Sequence, residues 1–133
     1  SETEKRADEL LEKMGISDIR DHLPSQCSGG EQQRCAIARA VINEPKLLFA
    51  DEPTGALNRK NTSEVLDLLT ELNRNGQSIL MVTHDLKAAC RASRILYIED
   101  GRIIGDLDLA MYDEKDEKSR ETQVNAWLTS LEW

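Results

Sequence analysis

The run Leu47-Leu48-Phe49-Ala50-Asp51-Glu52 constrains the fold more than any other stretch of the chain. Its apolar part is short and suits a buried strand of a parallel sheet. Such a strand delivers Asp51 and Glu52 to its C-terminal end, where open α/β sheets bind their ligands. Two acids at that place fit a Mg²⁺–phosphate site with a base for water. Earlier in the chain, Cys27-Ser28-Gly29-Gly30-Glu31 opens a helix. Ser28 and Glu31 have the S-x-x-E spacing of a capping box, in which each side chain satisfies one orphan N–H. Gly29 and Gly30 carry no Cβ to keep a ligand from their backbone. A helix start with unpaired N–H groups and partial positive charge suits a phosphate. A second apolar run, Ile79-Leu80-Met81-Val82, leads into Thr83-His84-Asp85. Each signal alone also describes an ordinary helix start, a solvated strand exit or a structural histidine. Their combination in this order points to nucleotide chemistry.

These residues carry a family resemblance. Cys27-Ser28-Gly29-Gly30-Glu31-Gln32-Gln33-Arg34 followed by Ala36-Ile37-Ala38-Arg39-Ala40 resembles the signature helix of ABC transporter ATPase domains. The run from Leu47 to Pro53 resembles their Walker B strand. Thr54-Gly55-Ala56-Leu57-Asn58 resembles their D-loop, and Thr83-His84-Asp85 their H-loop. The run Asp51-Glu52-Pro53-Thr54-Gly55-Ala56-Leu57 is most like the bacterial group that exports antimicrobial peptides, macrolides and lipoproteins. No G-x-x-x-x-G-K-[ST] loop occurs in the sequence. The resemblance therefore implies the C-terminal half of an ATPase domain, a fragment without the phosphate loop. It implies an α/β fold: the C-terminal part of a P-loop NTPase (RecA-like) parallel sheet flanked by helices, with part of the helical subdomain. Residues 1–42 would hold that helical part and the signature helix, 43–108 the Walker B to H-loop core, and 109–133 an acidic linker and a last helix.

By the same resemblance, ATP lies between two ATPase domains facing head to tail. Ser28, Gly29, Gly30 and Glu31 would serve a nucleotide held mainly by the opposite subunit, with hydrogen bonds from Ser28, Gly29 and Gly30 to its γ-phosphate. Asp51 would hold Mg²⁺ through water, Glu52 would orient or deprotonate the attacking water, and His84 would contact the γ-phosphate. Asn58 stands where Asp is usual, replacing a charged cross-interface contact by a neutral one. Cys27 stands where Leu is usual. The implied partners are a second ATPase domain and a transmembrane permease subunit, and the implied place is cytoplasmic, peripheral at the inner face of the cell membrane. The parent protein would be a transport ATPase, while the isolated chain would bind ATP weakly and turn over none. The competing readings are the C-terminal ATPase half of an SMC-like chromosome protein and a non-catalytic partner lending its signature helix in trans.

Length and composition set outer bounds. A chain of 133 residues with 39% hydrophobic and 32% charged residues suits one soluble globular domain. Its net charge of −8 argues against a general nucleic-acid binder. Three cysteines without a C-x-x-C pair fit reduced thiols, with Cys35 and Cys90 read as small buried hydrophobes.

Periodicity places the remaining elements. Helices are expected over 2–14, with Ala7, Leu10, Leu11 and Met14 on one stripe, over 29–42, and over 61–75, with Val65, Leu68, Leu69 and Leu72 facing the core. Strands are expected over 78–82, 94–99 and 102–106, the last two joined by Asp100-Gly101. Between the first and second of these strands Asp85 caps a short helix through Cys90. Residues 16–26 read as a connector and His22 as an exposed loop residue. From Glu99 onward ten acids face four bases. A last helix over 118–131 places Val124, Trp127, Leu128 and Leu131 on one face, suited equally to a partner or to the chain's own core. The family's sheet sets a phosphate-loop strand between those ending at Thr83 and near Leu96-Tyr97-Ile98. Its absence implies exposed apolar faces and a self-associating chain.

Overall fold

A computed structural model describes residues 1–131. The elements run α1 (Glu2–Lys13), α2 (Gly29–Val41), β1 (Leu47–Asp51), α3 (Arg59–Arg74), β2 (Ser78–Val82), α4 (Leu86–Ala89), β3 (Arg94–Glu99), β4 (Arg102–Asp108) and α5 (Glu117–Ser130). Short 3-10 turns lie at Ser17–Ile19, Pro24–Gln26 and Glu114–Asp116. Length alone suggests one domain, but the chain gathers into two compact units, Ser1–Val82 and Thr83–Trp133.

In the first unit β1 and β2 pair in parallel, with Leu47 opposite Ser78 and Asp51 opposite Val82. Strand periodicity then sorts the side chains. Leu48 is buried and Ile79 packs against the same core, whereas Phe49 and Leu80, paired across the other face, remain 59% and 49% exposed. The core is built from Ile37 and Ala38 of α2, Leu48, and Val65, Leu69 and Leu72 of α3, closed by Met14, Ile16 and Ile19. Burial of such apolar surface is the main stabilising contribution, roughly 25 cal/mol per Å². Leu66 is buried as well and Leu68 only half so, a face shifted slightly from the one expected.

Local chemistry explains the boundaries. Met14 and Asn75 cap α1 and α3, and the glycines that follow, Gly15 (φ 72°) and Gly76 (φ 103°), take the left-handed turn that ends each helix. Glu44, before Pro45, also turns left-handed at φ 52°, so the chain leaves α2 by a kink rather than by extended backbone. Helix α3 begins two residues earlier than its apolar periodicity suggests, because the Asn58 side chain accepts a bond from Asn61 N at 2.8 Å and caps it.

In the second unit β3 and β4 form an antiparallel hairpin. Asp100 (φ 50°) and Gly101 (φ 74°) both take positive φ, as a two-residue turn of the primed type requires. Strand β4 runs on to Asp108, two residues past the expected end. Helix α5 packs on the hairpin: Val124 and Leu128 are buried with Cys90, and Trp127 joins Ile95, Tyr97 and Leu107 around them. Gly105 leaves the room for Trp127 and Leu131, since a Cβ there would collide with both side chains. The last helix thus covers its own unit. Arg120, which periodicity alone gives no reason to bury, is 5% exposed. Its Nε, Nη1 and Nη2 donate to the carbonyls of Cys90 (2.8 Å), Ala110 (2.6 Å) and Ala92 (2.7 Å).

Candidate nucleotide-binding site

Ser28 caps α2 as its spacing predicts. Glu31 N donates to Ser28 Oγ at 3.1 Å, and Ser28 N donates to Glu31 Oε1 at 2.9 Å. The box uses the N–H groups of Ser28 and Glu31 and leaves those of Gly29 and Gly30 outside it. The Glu31 carboxylate is thereby engaged within its own helix end. Gln32 fixes the approach to the helix, its Nε2 donating to Pro24 O at 2.8 Å and Cys27 O at 3.2 Å.

The two glycines are small for a reason that sequence reasoning missed. A Cβ on Gly30 would stand 2.7 Å from Asn61 Cγ, and one on Gly29 would stand 3.3 Å from Leu57 Cδ2. Their bare faces are turned to α3 and the loop before it, inside the same chain. One turn later Arg34 Nη1 donates to Glu64 Oε2 at 2.6 Å, with the Arg34 side chain only 15% exposed. Arg34 is thus largely covered. A charged residue followed by apolar ones on α2 did not signal this, because its partner lies 30 positions away.

The acids stand where the strand reading puts them. Asp51 ends β1 and is exposed. Glu52 follows it, its N–H donating to Val82 O at 2.7 Å, which extends the parallel ladder by one bond. Glu52 has φ 46°, in the left-handed region that a side chain disfavours. A turn follows, with Gly55 N donating to Glu52 O and Leu57 N to Thr54 O, and with Pro53 and Thr54 buried. A groove of about 430 Å³ joins the two motifs, lined by Gly29, Gln32 and Ala36 on one side and Glu52, Gly55 and Leu57 on the other. Ser28, Gly29, Gly30, Glu31, Asp51, Glu52 and Asn58 therefore all belong to the first unit. His84 belongs to the second, exposed just before Asp85, which caps α4 by accepting from Lys87 N.

Among the described residues no group of three or more His, Cys, Asp or Glu could enclose a metal ion. One exposed carboxylate at a strand end still fits Mg²⁺, which keeps several waters and takes its remaining ligands from substrate phosphates. The thiols stay apart from this chemistry. Burial pushes Cys90 up to about 11, and Cys27 is also raised, by desolvation first and then by Cys35 and Glu31. Cys35 is half-buried and Cys90 buried. No helix among the described residues is long and apolar enough to cross a membrane.

Comparison with known proteins agrees with this geometry. A family model described as ABC transporter matches residues 2–55. The macrolide export ATP-binding/permease protein MacB of Bartonella henselae is 53% identical over 102 residues, covering 77% of this chain and 16% of that protein. YknY of Bacillus subtilis, an uncharacterised ABC transporter ATP-binding protein, is 48% identical over 103 residues, 77% of this chain and 45% of the relative. The ATP-binding cassette MJ0796, solved as a dimer in a post-hydrolysis state with ADP and Pi, is 40% identical with a TM-score of 0.69, over 81% of this chain and 47% of that one. The chain spans about half the length of these ATP-binding proteins and a sixth of the ATP-binding/permease protein. With the capped Ser28-Gly29-Gly30 turn and the acid pair at the strand end, they show that the chain belongs to the ATP-binding family of ABC transporters, with the macrolide export ATP-binding/permease proteins among the relatives it resembles.

Proposed function

We propose that these residues are the signature-helix and Walker B portion of an export ATPase that works with a transmembrane permease and a second ATPase domain at the cytoplasmic face of a membrane. The observation that carries the reading is the groove between Gly29 and Glu52, which joins the capped start of α2 to the acid-bearing loop after β1. In this reading residues 1–42 bring the helical part and signature helix, 43–108 the core from Walker B to H-loop, and 109–133 the acidic linker and last helix. Gly29 and Gly30 N–H, with the Ser28 hydroxyl, donate to a γ-phosphate, where preorganised donors stabilise developing charge. Asp51 would hold Mg²⁺, which when bound would supply positive charge to phosphate oxygens. Glu52 orients the attacking water and takes its proton, and His84 contacts the γ-phosphate. Glu31 supports the nucleotide through the cap, and Asn58 supports the facing subunit from the start of α3.

The test is Glu52→Gln in the transporter that carries these residues. ATP turnover is expected to fall at least about 100-fold while nucleotide binding persists, the scale of a lost general base. Turnover at the parent rate would overturn the assignment.

A further inference from the structure

We propose that Arg34 and Glu64 are positioning residues: their ion pair holds the Ser28–Gly30 end of α2 in register with the loop that begins at Glu52. This rests on the function proposed above and adds to it a device inside one chain.

Three contacts form a single seam. Gly29 meets Leu57, Gly30 meets Asn61, and Arg34 meets Glu64 at 2.6 Å. On α2, Gly30 and Arg34 are one turn apart. Leu57, at the foot of α3, is followed by Asn61 and Glu64 at spacings of four and three, so both partners present a continuous stripe. The seam begins at the very residues that carry the chemistry. Its α2 side starts with the glycines whose N–H groups stay outside the capping box. Its α3 side starts at the Asn58 cap, which ends the turn opened by Glu52. A shift of α2 along α3 would therefore move the phosphate-facing turn against the Glu52 loop.

The seam is not built for stability alone. The Arg34 side chain is 15% exposed and its Nε is buried without a hydrogen-bond partner among the described residues. Covering a guanidinium and leaving one donor unmet costs free energy that a pair of apolar side chains would not. What an ion pair of fixed length supplies is register, the best-attested use of such groups. Gly30 adds the complementary constraint, since no larger residue lets α2 lie so close to Asn61.

The experiment uses the transporter carrying these residues, with Glu64→Gln, Arg34→Met and the exchanged pair R34E/E64R, and with Glu52→Gln alongside. A lost scaffold contact lowers the fraction of active protein and leaves KM alone. A displaced phosphate-binding turn raises KM for ATP, by about tenfold for a displacement of a fraction of an ångström. The proposal expects that rise in both single variants at a thermal midpoint close to that of the parent, and its reversal to within about threefold in the exchanged pair. An unchanged KM in the folded single variants, or an exchanged pair no better than they are, overturns it. Should the single variants fail to fold, Asn61→Ala loosens the same seam without unpairing a charge, and an unchanged KM there overturns the proposal too. Glu52→Gln separates the two levels. If it abolishes turnover while the seam variants behave as the parent, only the seam falls; if it turns over normally, the function and the seam fall together.

Discussion

Each compact unit of the chain encloses one guanidinium, and the two are held in opposite ways. Among the described residues Arg120 in the second unit makes no ion pair, yet each of its three nitrogens donates to a backbone carbonyl, and the Tyr112 ring lies 5.4 Å from its centre. Arg34 in the first unit has a carboxylate at 2.6 Å but keeps its Nε unmet among the described residues. The first arrangement is that of a fastener. It joins α5 to the end of α4 and to the strand exit before Tyr112, and every nitrogen donates. The second leaves part of its capacity unspent beside a groove lined by Glu52, whose own backbone is left-handed. The unmet guanidinium nitrogen lies in the unit that carries Asp51 and Glu52, and the fully bonded one in the other, while non-glycine residues at positive φ occur in both, Glu44 and Glu52 in the first and Asp100 in the second.

The contrast can be broken most forcefully at Arg120. Arg120→Met leaves three carbonyls facing a side chain that donates nothing, and unfolding of α5 followed by urea titration should register a loss of about 3 kcal/mol or more. A loss under about 0.5 kcal/mol would place Arg120 among ordinary surface residues. A smaller effect sharpens the contrast from the other side. The outer face of β1 and β2 exposes Leu47, Phe49, Leu80 and Val82 together, so the chain is expected to self-associate in solution. Phe49→Lys should weaken that association about tenfold or more by light scattering, the magnitude of one buried aromatic contact. A stable monomer of the unaltered chain would count against the expectation. The smallest effect belongs to Asp106, whose carboxyl is held below its usual range by a hydrogen bond from the exposed Arg94. A depressed carboxyl contributes stability above its unfolded pKa, near about 4, and loses it as pH falls through the folded value. Asp106→Asn should therefore lower the thermal midpoint slightly at neutral pH, with the difference closing as the solution is acidified below about pH 4. A gap that persists at pH 2 would mean that shape rather than charge sets it.

Sequence reached the elements because their signals are local. The capping box, the Asp100-Gly101 turn and the alternating strands each depend on residues within a few positions of one another. What it did not reach depends on distant pairs. Nothing near Arg34 announces Glu64, and nothing near Arg120 announces the carbonyls of Cys90 and Ala92. The motif glycines show the same limit. Their lack of a side chain was legible, but its direction, toward Leu57 and Asn61, needed the packing of α2 on α3. The site residues up to Asn58 fell in one unit as their order suggested, whereas Leu66 and the extra length of β4 followed from contacts that no periodicity encodes.

Glu52 keeps a carboxylate at a bend of the chain where the backbone angles ask for a residue with no side chain at all. Glycine there would relieve about 1–3 kcal/mol and, in the role proposed for this acid, silence the machine. A search for hardier versions of this protein that screened on heat resistance alone would thus drift toward inert ones.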